Sequence, residues 1–327
     1  MTHTSPVVLV TSRSFSSGDV DALGELEAAG ASVVTSSPDH DLKVLQPTLS
    51  TAVAWIAGTG PVTAAHFDGA PRLRLVARYG VGVDAVDRVA AARHDVVLTN
   101  TPGANSGAVA DHAVALVLAA LRGVTLGDRR VRAADWRVDR THELGSLTIG
   151  IVGVGRIGRA VAARLAGFGS KILGHDPWVP DSEMRAVGIE PVRLEEIAAR
   201  SDVVSLHAPG EHTLIDTAWL AHAKPGLILV NTARANLVDE GALVQALTDG
   251  TLRVYAADTL SSESGRATSP LLSEALVDRT IFTPHSAAQT VEAVDRMSVG
   301  AVAAVLAVLR GVAPPNIVIP DSIEKMN

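Results

Sequence analysis

Cysteine is absent from the 327 residues. That excludes disulfides and thiolate metal sites and fits a reducing compartment. Aromatic residues make up only 3% of the chain, against 47% hydrophobic residues in all, so a large core has to be packed from Ala, Val and Leu. Positive charge is in the minority: 28 Lys and Arg against 35 Asp and Glu leave a formal net charge of −7. With no long basic run, nucleic acid is not an expected partner. No apolar run reaches the ~18 residues of a membrane span. Pro6-Val7-Val8-Leu9-Val10 is too short for a signal sequence and has no charged lead, so it reads as a strand. No His, Asp and Glu cluster has metal-ligand spacing, and Asp111-His112 is too little for a zinc site. The expectation is a soluble cytoplasmic protein without a metal, long enough for two domains on a prior of ~150 residues each.

What the chain does contain is organised around residues 147–178. An apolar strand, Leu147 to Val152, runs into Gly153-Val154-Gly155-Arg156-Ile157-Gly158. A helical stretch follows, then a second strand that ends in Asp176-Pro177-Trp178. In a Gly-x-Gly-x-x-Gly turn the first glycine allows the tight exit from the strand. The second lets a pyrophosphate approach the backbone, and the third lets the helix pack on the sheet. The helix N-terminus then offers free N–H groups and a partial positive charge to the phosphates. Asp176 lies 18 positions after Gly158 (176 − 158), the offset of an acid that binds the adenine ribose hydroxyls and repels a 2′-phosphate. No cation adjoins Asp176 in sequence, so NAD is preferred over its phosphorylated form.

Short apolar runs alternate with helical ones along the rest of the chain. Strands are expected at Val7–Thr11, Ala31–Thr35, Ala52–Ile56, Leu73–Ala77, Val96–Thr99, Val203–Leu206, Leu227–Val230, Tyr255–Ala257 and Ile281–Phe282. That alternation predicts parallel sheets. A long apolar helix is expected over Ala108–Leu121, and residues 124–146 read as charged and irregular. A last helix, about Val291–Arg310, is expected to return to the first domain. Polar residues close successive strands of the second half: Asp176, His207, Arg234, Asp258 and His285. Ligands of open α/β sheets bind at that carboxyl edge.

Three residues there can carry chemistry. Arg234 offers a planar fork that matches a carboxylate; the alternative is a salt bridge to Asp239. His285 can take a hydroxyl proton, and a carboxylate beside an imidazole orients it and favours its charged form. Glu263 is the candidate carboxylate, with Glu274 as its rival.

Several segments, in order along nearly the whole chain, resemble the D-isomer-specific 2-hydroxyacid dehydrogenase family. They are Gly80-Val81-Gly82-Val83-Asp84-Ala85-Val86-Asp87, Asn100-Thr101-Pro102-Gly103-Ala104-Asn105, the glycine-rich turn, His207-Ala208-Pro209, Lys224-Pro225-Gly226, Asn231-Thr232-Ala233-Arg234, Val238-Asp239 and Thr283-Pro284-His285. The resemblance implies a Rossmann-type, doubly wound cofactor domain over residues 105–288. It also implies a smaller flavodoxin-like α/β substrate domain formed by residues 1–104 and 289–327, and a homodimer through the cofactor domain. Arg234 is then the holder of the substrate carboxylate and the polariser of its 2-oxo group, His285 the acid/base and Glu263 its partner. Asp258 is implied to contact the nicotinamide carboxamide, and the Val81-Gly82 backbone to cradle the carboxylate.

The candidate substrate-binding set is Arg78, Tyr79, Gly80, Val81, Gly82 and Asn105. The cofactor-binding set is Gly153, Gly155, Arg156, Ile157, Gly158, Asp176, Pro177, His207, Ala208, Pro209, Thr232, Ala233, Asp258 and His285. The chain departs from the family in four places. Ala235 follows the arginine in place of Gly, Ser264 follows the glutamate in place of Pro, Asp111 stands for Glu, and the loop Gly210-Glu211-His212-Thr213 is shorter.

The expected reaction is NAD-dependent hydride transfer at C2 of a D-2-hydroxy acid. Glyoxylate and hydroxypyruvate rank ahead of 3-phosphoglycerate. Arg78 precedes the Gly80-Val81-Gly82 turn, as in some phosphoglycerate dehydrogenases, but the earlier loop Ile56-Ala57-Gly58-Thr59-Gly60-Pro61-Val62-Thr63 carries no cation. The rivals are a formate or phosphite dehydrogenase and a cofactor-sensing co-repressor. The latter is expected to carry docking extensions beyond the short tail that ends at Asn327.

Overall fold

The computed structural model describes residues 5–210, 212–264 and 268–318. Glu211, in the loop after Pro209, and the tail from 319 lie outside them. The chain forms two compact units, Met1–Asn105 with Gln289–Asn327, and Ser106–Ala288. Asn105, expected at the start of the cofactor domain, falls in the first unit.

In the first unit, β1 (Val7–Val10), β2 (Ser32–Thr35), β3 (Ala52–Ala57), β4 (Leu75–Arg78) and β5 (Val97–Thr99) form a parallel sheet of order β2-β1-β3-β4-β5. This is the flavodoxin-like doubly wound order. β3 and β4 are apolar and almost wholly buried, as strands covered on both faces must be. The helix Val291–Leu309 packs on β4 and on the helix Ala22–Ala28, so the C-terminal segment completes this unit. The helix Leu42–Leu49, which contains Pro47, was not anticipated from sequence. Asp41 starts it by accepting the Lys43 N–H, and the proline sits in its last turn.

In the second unit, β6 (Thr148–Val152), β7 (Lys171–His175), β8 (Glu190–Pro191), β9 (Val203–Leu206), β10 (Leu227–Asn231), β11 (Leu252–Ala257) and β12 (Thr280–Phe282) form a parallel sheet. Its order is β12-β11-β10-β9-β6-β7-β8. The chain winds outward from β6 to β8, then returns to β9 on the other side of β6. That reversal opens a crevice at the carboxyl ends of β6 and β9. The helix Ser106–Arg122 packs across β10 and β11 and against the helix Arg156–Ala166. Asp111 ties those two helices through an ion pair to Arg164 Nε at 2.6 Å.

The stretch after residue 124 is not irregular throughout. Val124–Arg132 is a helix that starts after the left-handed Gly123 and carries an Asp128–Arg132 ion pair one turn apart. Mixed charges concealed it, because helical periodicity there comes from charge pairing and not from an apolar stripe. Among the described residues, no single helix is long and apolar enough to cross a membrane.

Candidate cofactor and catalytic site

The three glycines of the turn between β6 and the helix Arg156–Ala166 do three different things. Gly153 has φ +90°, and a Cβ there would sit 2.5 Å from the Ala208 backbone, so a side chain is excluded twice over. At Gly158 a Cβ would lie 2.0 Å from the Gly153 carbonyl oxygen; this contact sets the closeness of helix to strand. Gly155 caps the helix and meets nothing within 4 Å. A Cβ there would project into open space at the N-terminus of the helix. Arg156 itself is exposed.

Asp176, at the end of β7, is half-buried. Its Oδ2 accepts the Val154 N–H at 2.8 Å and its Oδ1 the Trp178 N–H at 2.9 Å. The acid therefore shapes the glycine turn from the neighbouring strand, and Pro177 beside it is exposed. At the end of β9, His207 Nε2 lies 2.9 Å from Ser205 Oγ. Burial pushes its imidazole down to about 3, so the ring is neutral. Ala208 and Pro209 follow it at the surface of the crevice.

His207 Nδ1, Thr232 Oγ1 and Thr259 Oγ1 are buried with no hydrogen-bond partner. They close β9, β10 and β11 in turn. Buried polar atoms without partners are rare and costly, and three in a row beside an open glycine turn fit a polar cofactor laid along the edge.

Arg234 follows β10 on a turn that Asn231 builds. Asn231 is fully buried; its Oδ1 accepts the Ala233 N–H at 3.0 Å and its Nδ2 donates to the Arg234 carbonyl at 2.8 Å. The side chain of Arg234 donates through Nη1 to the Ala233 carbonyl at 2.8 Å. Asp239, the alternative partner from sequence, caps the helix Glu240–Asp249 by accepting the Gly241 and Ala242 N–H groups. Asn231 went unassigned in the sequence, although a polar residue closing a fully apolar strand is the signal for such a turn.

His285 and Glu263 meet. The imidazole Nδ1 lies 2.8 Å from Glu263 Oε2, and both side chains are about two-fifths exposed, at 39% and 41%. Glu263 sits in the 3-10 turn Ser261–Ser264, where its Oε1 also accepts the Leu260 N–H at 2.8 Å. Both residues line a cleft of about 300 Å³ with Leu260, Ser262, Phe282, Thr283 and Pro284. Glu274 lies in a separate turn, Glu274–Leu276. Since the carboxylate accepts from Nδ1–H, His285 Nε2 is the ring nitrogen left for exchange.

Asp258 directly follows β11. It is 1% exposed, and its oxygens are taken by the loop around His285: the Ser286 N–H at 2.9 Å, the Ala287 N–H at 2.8 Å and the Thr283 hydroxyl.

Within the first unit, Gly80 has φ +128°, and the turn after it is pinned from β5. Asn100 Nδ2 donates to the Val81 carbonyl at 2.8 Å, and Gly80 N–H to Thr101 Oγ1 at 3.2 Å. Val81 and Gly82 stay half-exposed. The Tyr79 hydroxyl is 3.0 Å from the Val294 carbonyl of the last helix. Arg78 is buried, and its Nη1 donates to the Ala57 carbonyl at 3.1 Å and the Tyr79 carbonyl at 2.8 Å. Asn105 ends the segment with its Oδ1 buried.

A doubly wound dinucleotide-binding protein, with an arginine and a histidine–carboxylate pair on one sheet edge, is the class these features define. Residues 114–287 match the model of the D-isomer specific 2-hydroxyacid dehydrogenase NAD binding domain. The chain belongs to that family. It is 37% identical to the D-3-phosphoglycerate dehydrogenase of Mycobacterium bovis over 96% of this chain and 58% of that protein, so it spans just over half the length of that relative. It is 38% identical to the glyoxylate reductase of Korarchaeum cryptofilum over 80% of each chain. Among solved structures, the D-lactate dehydrogenase of Aquifex aeolicus, complexed with NAD and lactic acid, superposes with a TM-score of 0.85. That match is at 27% identity and covers 96% of this chain and 99% of the other.

Proposed function

We propose that the protein is an NAD-dependent oxidoreductase that interconverts a D-2-hydroxy acid and its 2-oxo acid. The observation that carries the proposal is the His285–Glu263 pair at 2.8 Å, held on the same sheet edge as the glycine turn. The residues that would hold the cofactor are the Gly153–Gly158 turn, Asp176, and the ends of β9, β10 and β11 at His207, Thr232 and Thr259. NAD, when bound, takes up or supplies the hydride.

The chain's own residues do the rest. Arg234 binds the substrate carboxylate through its planar fork and polarises the 2-oxo group. As the 2-hydroxy acid loses hydride from C2, His285 Nε2 takes the hydroxyl proton; in reduction it returns it. Glu263 keeps the proton of Nδ1 in place and stabilises the imidazolium as it forms. In the first unit, the half-exposed Val81-Gly82 turn is the candidate carboxylate cradle.

The relatives named phosphoglycerate dehydrogenase and glyoxylate reductase match at nearly equal identity, so the substrate has to be argued from residues. A phosphate ester carries close to two negative charges and needs several cationic or N–H partners. Arg78 is buried and engaged by backbone carbonyls, and the loop before it has no cation. This favours a small unphosphorylated acid such as glyoxylate or hydroxypyruvate. A homodimer belongs to the same proposal: Trp136 is 76% and Val138 89% exposed, apolar surface that a second copy can cover.

The test is NADH oxidation with glyoxylate, hydroxypyruvate, pyruvate and phosphohydroxypyruvate, and NAD reduction with formate and phosphite. Turnover of the small 2-oxo acids is expected. NADH binding with no turnover of any acid would replace the reading with a cofactor-sensing protein. Reduction of NAD by formate or phosphite alone would move it to those substrates. A preference for phosphohydroxypyruvate that collapses in Arg78→Ala would make Arg78 a phosphate anchor.

A further inference from the structure

We infer that His112 is a positioning residue for His285, acting through Thr283 and Asp258. The inference rests on the reading of His285 as the acid/base. His112 lies on the 17-residue helix Ser106–Arg122, the element packed across β10 and β11. It is remote from His285 in sequence, and beside Asp111 it is too little for a metal site.

His285 has an unusual backbone conformation. Its φ is +51°, a left-handed conformation that is uncommon for a residue with a side chain. What holds it is Asp258. One buried carboxylate gathers three donors from residues 283–287, two on the far side of His285 and one on the near side. The His285 N–H adds a contact to the Thr283 carbonyl at 3.0 Å. The loop is therefore wrapped around a single anchor, and it leaves His285 Nδ1 facing Glu263.

The anchor is itself braced. The Thr283 hydroxyl has one proton, which goes to Asp258, a carboxylate with nothing to donate. Its oxygen is then the acceptor toward His112 Nε2, 2.9 Å away. His112 therefore carries a hydrogen on Nε2. The same nitrogen lies 3.5 Å from Asp258 Oδ1, so it faces both members of the pair. A buried carboxylate is stable only when hydrogen-bonded or paired. His112 completes that shell from a rigid helix, and so fixes the direction in which His285 presents Nε2.

A group that acts by orienting His285 moves kcat and leaves cofactor affinity alone. The test compares His112→Leu, which keeps much of the volume but no donor, with His112→Gln, which restores an N–H at similar reach. Thr283→Val is the second route to the same loss. His112→Leu and Thr283→Val are expected to lower kcat about tenfold, the scale of one hydrogen bond, with KM and NADH affinity within about twofold. His112→Gln is expected to recover most of the rate. Hydrogen exchange of the Ser286 and Ala287 amides is read in the same proteins, and is expected to quicken in the first two and return toward wild type in the third.

Wild-type kcat and wild-type exchange in His112→Leu would overturn the inference. So would a loss that His112→Gln does not recover at all, since bulk and not donation would then explain it. His285→Asn is run beside them. If it leaves turnover unchanged, the acid/base reading fails; the exchange data still decide whether His112 braces the loop.

Discussion

At the carboxyl edge of the first unit's sheet, the polar side chains are turned on one another. Thr11 Oγ1 accepts the Trp55 Nε1–H at 2.9 Å and the Gly58 N–H at 3.3 Å, and faces His40 Nε2 at 2.7 Å. His66 Nε2 meets the His40 carbonyl at 2.9 Å, and Arg78 is engaged by two carbonyls. Thr11 and His40 are 0% and 2% exposed. At the corresponding edge of the second unit, the turn at Gly155 opens on empty space, three polar atoms stay without partners, and His285 and Glu263 are partly exposed. Both edges come from the same winding rule. One uses its polar groups to hold loop backbone in shape; the other keeps them available for a ligand and a proton. The difference teaches that a strand-end position licenses a site without making one.

The sharpest way to break this comparison is at the open edge. His285→Asn is expected to lower turnover by roughly 10²–10⁴-fold, the worth of a positioned general acid–base, while NADH binding, read by fluorescence, persists. Next come the glycines of the turn. Gly158→Ala forces a Cβ to 2.0 Å from the Gly153 carbonyl and is expected to cost about 1–3 kcal/mol in urea unfolding, as overpacking does. Gly155→Ala meets nothing, so stability should hold within about 0.5 kcal/mol while NADH affinity falls. Equal effects of the two substitutions would erase the distinction between a packing glycine and a binding glycine.

The closed edge has its own signature in pH. Burial pushes His40 down to about 4 from an ordinary 6.5. Thr11, already accepting two N–H groups, gives its proton to Nε2, so the network needs the ring neutral. The unfolded chain takes up the proton first as pH falls. Stability is therefore full above pH 6.5 and is lost between 6.5 and 4, by up to about 3 kcal/mol. His207, lowered by burial to about 3, acts in the same direction. Urea midpoints across that range should decline, and His40→Asn, whose side chain tolerates the positive φ of this position, should flatten the decline. Asp176 is tested by cofactor choice. Replacing it by Ala should narrow the preference for NAD over its phosphorylated form by about 10- to 100-fold, the worth of one hydrogen bond to a charged group. An unchanged ratio would remove Asp176 from the ribose site.

Much of the second unit was legible because its signals are local. Apolar runs that close in a charged residue mark strands and their ends together, and the glycine spacing carries its own geometry. Glu263 could be paired with His285 in advance only by resemblance, since Glu274 was a rival until the turn at Ser261–Ser264 turned Glu263 toward the ring. The first unit's network was not legible. Thr11, His40, Trp55 and His66 share no spacing, and each is an ordinary residue until the sheet gathers them. His112 escaped for the same reason. Read beside Asp111 it was a failed metal pair, whereas its partners Asp258 and Thr283 lie far along the chain. Charge pairing also hid the helix Val124–Arg132, and Pro47 hid the helix around it.

The central claim, that the open edge passes hydride and proton to and from C2 of a 2-hydroxy acid, is tested most directly by isotope transfer. NADH carrying deuterium at both C4 positions is incubated with the protein and hydroxypyruvate in ordinary water, and the product is analysed by NMR. The account predicts D-glycerate with deuterium at C2, formed by the wild type and strongly diminished with His285→Asn. Glycerate without deuterium at C2, or NADH bound with no glycerate formed, would contradict it.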